Sequence, residues 1–107
     1  MITIPKSFSI LGYTVTVEPT TKLRLANGAV GMADYDHLRI LLQENTIEYP
    51  RIRANVEQTY LHEVLHWIFH CAHRYDLAED EDLVDVLAGL LHQVLSTGKG
   101  ECKINAI

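Results

Sequence analysis

Two cysteines in 107 residues, Cys71 and Cys102, stand far apart with no CxxC spacing, so neither a disulfide framework nor a cysteine-built metal knuckle is expected. Reduced thiols and a cytoplasmic setting follow. Basic residues are also scarce and scattered, nine against fourteen acidic ones for a net charge of -5, which excludes a phosphate-tracking nucleic-acid surface. No apolar run is long enough to span a bilayer. Met1 to Ile10 carries Pro5 and Lys6 in place of a charged start and an apolar block, so no secretory leader is expected. With only three Pro and six Gly against 48% hydrophobic residues, the composition is that of one ordinary globular domain over 1–107.

What the chain does have is histidine. There are six, and His62, His66, His70 and His73 fall within twelve positions.

The hydrophobic pattern changes period near residue 45. From Phe8 to Val17, Tyr13, Val15 and Val17 alternate with Thr14 and Thr16, the signature of a half-buried strand that Pro19 is expected to end. Leu23 to Leu25 reads as a short extended piece before the Asn27-Gly28 turn. Ala29 to Ala33, a turn at Asp34-Tyr35-Asp36, and His37 to Leu42 complete a small antiparallel meander of about three strands over 7–45. After Asn45, Ile52, Val56, Tyr60, Val64, Leu65, Ile68, Phe69 and Ala72 recur at three and four, predicting a helix over 50–74 with Pro50 in its first turn. A second helix over 79–97 opens in an acidic run and stops at Gly98, joined to the first by a turn around Asp76 to Glu79. The fold class is α+β, a small sheet packed on two main helices.

His62-Glu63-Val64-Leu65-His66 is an HExxH motif, and the surrounding periodicity independently places it inside a helix. Histidines four apart lie about 40° apart around the axis and roughly 6 Å along it, so both imidazoles can address one tetrahedral ion. Glu63, one step round, can reach a water on that ion and act as general base. Two exposed histidines on a surface helix would be the plain alternative. It fits poorly, because Val64, Leu65, Trp67, Ile68 and Phe69 make the segment apolar on most sides.

A catalytic zinc needs a third protein ligand. His70 and His73 lie about 12 Å and 16 Å along the axis from His62, too far to close on the same ion, and read as polar residues at a helix end. The longer HExxHxxGxxH pattern fails, since Phe69 holds the Gly position and Ala72 the last His position. A carboxylate from the second helix is the remaining source. Most of the run Glu79 to Asp82 is a solvated first turn favoured by the helix dipole. Glu81 shares a stripe with Val84 and Ala88 and is the first choice, with Asp85 and then Glu79 behind it. Asp85, four from Glu81, also suits a carboxylate that orients a histidine.

These residues carry a resemblance. The strand, the segment GMADYDHLRILL, then TYLHEVLHWIFH and the helix EDLVDVLAGLLHQVL together resemble the minimal gluzincin-type zinc metallopeptidases of phages and mobile elements, related in fold to the ImmA/IrrE proteases. The resemblance covers roughly residues 7 to 97. It implies a small zincin-like fold, one zinc held by His62, His66 and Glu81, and Glu63 as catalytic base.

Two functions are expected from this reading. The first is a zinc endopeptidase whose peptide or protein substrate adds as a strand to His37 to Leu42, with an oxyanion donor among His70, His73, His92, Tyr35 and Tyr60. The second is a non-catalytic zinc-binding accessory module. An intact Glu63 favours the enzyme, because a structural ion has no need of that carboxylate.

Overall fold

The alternation of the first twenty residues produces a hairpin. In the computed structural model, which describes every residue from Met1 to Ile107, β1 (Ser7–Ile10) pairs antiparallel with β2 (Tyr13–Thr20), Ile10 opposite Tyr13. Leu11 and Gly12 form the two-residue turn, at φ 48° and 78°, the left-handed pair that matches strand twist.

β2 continues through Pro19, which was expected to end it. The Val17 N–H bonds the Lys6 carbonyl on the β1 side, and strand alternation turns the Pro19 nitrogen to that same side, where β1 has already finished. No ladder bond is lost.

The next segment departs from the expected meander. Leu23–Asn27 is a helical turn, α1, closed by Gly28 at φ 76°, in place of an extended piece. Gln43 explains why. Fully buried, its side-chain carbonyl accepts the Arg24 N–H at 2.8 Å while its amide donates to the Thr21 and Glu44 carbonyls.

β3 (Gly31–Asp34) and β4 (Arg39–Gln43) follow, antiparallel to each other, but β4 inserts parallel to β2 with Val17 opposite Ile40. The sheet therefore has four strands in the order β1-β2-β4-β3 and is mixed, not a purely antiparallel set of about three. β4 is interior and β3 is an edge.

The long helix α2 runs Arg53–Cys71, shorter at both ends than the periodicity predicts. Residues 50–52 are kept out by Arg51, whose N–H bonds the Asn45 side chain and whose guanidinium holds the Val30 and Gln43 carbonyls. At the other end His73 takes a left-handed φ of 57°, the Arg74 N–H bonds the Phe69 carbonyl and the His73 N–H that of His70, a Schellman closure. The link to the second long helix holds a helical turn of its own, α3 (Tyr75–Ala78), and α4 then spans Glu81–Thr97 with the Asp80 side chain capping the Leu83 N–H.

One face of the sheet carries Val15, Ile40 and Leu42 onto Tyr60, Leu61 and Trp67 of α2, with Ala88 of α4 closing the same core. The seven are at most 9% exposed. A second contact between the helices is polar: buried Glu57 of α2 and His92 of α4 meet at 2.8 Å. The fold is α+β, and no helix is long and apolar enough to cross a membrane.

Candidate metal centre

α2 presents His62 and His66 one turn apart, and α4 packs alongside so that its first residue, Glu81, meets them. The His62 and His66 Nε2 atoms are 3.1 Å apart, and the Glu81 oxygens lie 3.0 Å from the first and 3.1 Å from the second. Three donor atoms of three side chains thus converge on one point, the only such group in the chain. Glu81 shares its face of α4 with Val84 and Ala88, three and seven residues on, both of them buried.

Each histidine has a second contact. Asp85 Oδ1 lies 3.5 Å from His62 Nδ1, which leaves Nε2 to face the cluster. Burial lowers the His66 pKa, as does neighbouring His62, while Glu81 and the Ala78 carbonyl work in the opposite direction. Asp82 and Glu79 take no part in the cluster.

Glu63 lines the same cleft but is not one of the converging three. It is 6% exposed. Burial first, and the Glu81 charge second, push its carboxyl up to about 7, against an opposing hydrogen bond from the Ala33 backbone. The start of β3 lies directly on it. A Cβ on Gly31 would come within 2.8 Å of Glu63 Oε2 and 2.5 Å of the Thr59 methyl, so only glycine fits at that crossing.

The cleft, about 520 Å³, continues along α2 past Thr59, Gln58 and Asn55 to Arg51. Arg51 donates from both terminal nitrogens to Val30, Gln43, Asn55 and Thr59, and so bolts β3 and β4 to the helix beside Glu63.

Family models, curated proteins and solved structures offer no match to this chain. What the site can do is therefore read from its own geometry.

Several sequence expectations land elsewhere. His37 to Leu42 cannot take on an extra strand, because β4 already has β2 and β3 on its two edges; the free edges belong to β1 and β3, and β3 is the one whose Gly31 lines the cleft. His92 is committed to Glu57, and Tyr60 belongs to the core. His73 does sit in a helix-closing turn, with Nδ1 3.0 Å from the Tyr75 hydroxyl. His70 does lie in the last turn of α2, and its side chain has a further contact. Its ring stacks on Tyr35 at 3.9 Å with planes 7° apart. Tyr35 lies close enough to the cluster for its phenol to be raised to about 12, by burial first and then by the Glu63, Cys71 and Glu81 charges. Gly31 and Arg51 were missed, and nothing in their immediate sequence marks them, since both act on residues brought near only by folding.

Proposed function

We propose that the chain is a zinc-dependent peptidase, with His62, His66 and Glu81 as the ligands of one ion and Glu63 as general base. The donor set fits zinc. Two neutral imidazoles and a carboxylate are the ligands of a catalytic site that leaves a fourth position open, and a tetrahedron with bonds of about 2.1 Å has edges of about 3.4 Å. The donor separations here are 3.0 to 3.1 Å. A bound zinc would supply Lewis acidity, polarising a peptide carbonyl and making a water easier to deprotonate.

The chain's own groups do the rest. Glu63 takes the proton of the attacking water on a carboxylate oxygen and passes it to the departing amine nitrogen. Asp85 orients His62. The Tyr35 hydroxyl, which stays protonated, is the O–H donor this reading assigns to the carbonyl oxygen as it gains charge. β3 offers its unpaired edge, so an extended substrate adds there, along the cleft wall that Gly31 opens. The resemblance to minimal gluzincins points the same way.

The observation that carries this reading is Glu63: a buried carboxylate beside three converging ligands and not among them, which a purely structural ion would not use. Glu63→Gln keeps the zinc and lowers peptide hydrolysis by a factor of about 10² or more. Zinc content and cleavage of unfolded protein substrates are measured side by side on wild type and variant. A wild type that binds zinc fully and cleaves nothing, or a variant that cleaves equally well, returns the chain to a non-catalytic zinc module.

A further inference from the structure

On the far side of Glu81 from the main cleft lies a second cavity, about 340 Å³, lined by Tyr35, His70, Tyr75, Ala78, Glu79 and Glu81. Glu81 is common to both, so the cavity adjoins the His62, His66 and Glu81 cluster. Its wall is unusual in composition. Three of its six residues carry aromatic rings, Tyr35 stacked on His70 at 3.9 Å and Tyr75 set edge-on to His70 at 5.4 Å. Two more are carboxylates, and there is no Lys or Arg among the six.

The two carboxylates differ in their commitments. Glu81 is engaged by the histidines, whereas Glu79 has no ion-pair partner at all. The nearest cation in sequence, Arg74, is held by both oxygens of Asp76 at 3.1 and 2.9 Å and is not free to neutralise it. Tyr75 is 49% exposed and stands four residues before Glu79, with the Glu79 N–H bonded to the Tyr75 carbonyl. Ring and carboxylate are therefore neighbours on one surface.

Rings plus an unpaired carboxylate are complementary to a cation on an apolar stem. The aliphatic part packs on the rings, the charged head is attracted by their π-faces, and the carboxylate accepts its hydrogen bonds. We propose that this cavity is a specificity pocket for a lysine or arginine side chain of the substrate, next to the scissile bond. The assignment rests on the peptidase reading only in taking the ligand to be a peptide. A neutral apolar side chain would leave Glu79 facing a desolvated, unanswered neighbour, and an acidic one would be repelled.

The chain contains its own reporter. Trp67, the single tryptophan, stands edge-on to Tyr35 at 5.0 Å and to His70 at 6.4 Å. The Glu63→Gln variant, which keeps every residue of the cavity and on the peptidase reading does not turn the ligand over, is titrated in the presence of zinc with blocked pentapeptides that differ only in a central Lys, Arg, norleucine or Glu, following Trp67 fluorescence. The Lys and Arg peptides are expected to bind at least about fivefold more tightly than the norleucine peptide, with the Glu peptide weakest. Glu79→Gln, a change at an exposed position, should remove most of that preference by weakening the Lys and Arg peptides while the norleucine peptide binds no more weakly than before. Raising the salt should weaken only the Lys and Arg peptides. Equal affinities for all four peptides, a preference for norleucine, or no saturable signal from any of them overturns the assignment. Because hydrolysis does not enter this titration, an unselective peptidase and a cation-binding cavity without peptidase activity give different outcomes.

Discussion

Gly31→Ala adds one methyl group at the point where β3 crosses α2, and the structure fixes what that methyl must meet. Its Cβ would stand 2.5 Å from the Thr59 methyl, 2.8 Å from Glu63 Oε2 and 3.2 Å from Glu63 Cγ. None of the usual escapes is open. The Thr59 hydroxyl accepts from Arg51 at 2.7 Å and donates to the Asn55 carbonyl at 2.9 Å, so its methyl cannot rotate away. β3 in turn is held by β4, and the preceding Val30 carbonyl by the Gln43 N–H at 2.9 Å. Gly→Ala at a position of ordinary φ would by itself stabilise by about 0.4–1 kcal/mol through the unfolded chain. Overpacking of a fixed site costs about 1–3 kcal/mol and should win. A net loss near 1–2 kcal/mol corresponds to a fall in Tm of roughly 4–15 °C for a domain of this size. Urea unfolding at pH 7 measures it. The double variant Gly31→Ala with Thr59→Ser separates the two contacts: serine deletes the methyl and keeps the hydroxyl, so most of the stability should return, with a coupling of at least about 0.5 kcal/mol. The contact with Glu63 remains, so hydrolysis should stay well below wild type even in the restored protein. If Gly31→Ala unfolds within about 0.5 kcal/mol of wild type, or if Thr59→Ser restores nothing, the close crossing of β3 over Glu63 is refuted.

Glu57 makes a separate prediction in acid. Burial would push its carboxyl up, but hydrogen bonds from His92, Arg53 and the Ile2 backbone outweigh it and hold the value down to about 2, below the ordinary 4.5. A group depressed in the folded state contributes stability that is present above pH 4.5 and is lost as the pH falls towards 2. Urea midpoints should therefore drop over that interval in wild type and drop less in Glu57→Gln; parallel curves would clear Glu57 of the role. At the metal centre, Glu81→Ala should lower zinc affinity by at least about tenfold while Asp82→Ala leaves it unchanged, read by competition with a chelating dye. Equal effects of the two changes would move the third ligand off Glu81.

Periodicity carries long helices well, and α2 and α4 were legible because their apolar residues recur every three and four positions. The same periodicity put Glu81 on the stripe of Val84 and Ala88, which is why a carboxylate fifteen positions after His66 could be matched to the two histidines it meets in the fold. Strand order is a different kind of information. Tyr13 to Val17 announces a strand by its alternation, but that β4 lies parallel to β2 depends on a connection of eighteen residues and on pairings such as Val17 with Ile40, none of them local. α1 has five residues and takes its shape from Gln43, sixteen positions beyond its end. Glu57 and His92, thirty-five residues apart, carry no local sign of each other. Arg51 reads as a surface charge ahead of a helix, and only folding shows it spanning three segments.

The two long helices are joined by polar contacts at two places. Glu57–His92 lies near the start of α2 and the end of α4, and the His62, His66 and Glu81 cluster lies further along α2 at the first turn of α4. On α2 the two stand five to nine residues apart, about 7–14 Å along the axis. The first fastening is built wholly from the chain, whereas the second, on the reading proposed above, would be tightened by an ion that neutralises Glu81. Removing that ion should leave α4 hinged at His92 and loosened at its opposite end, so that local opening begins at Glu81 and fades towards Leu95. Amide exchange along α4 would then record metal occupancy as a gradient, steep in the first two turns when the ion is absent and flat when it is bound.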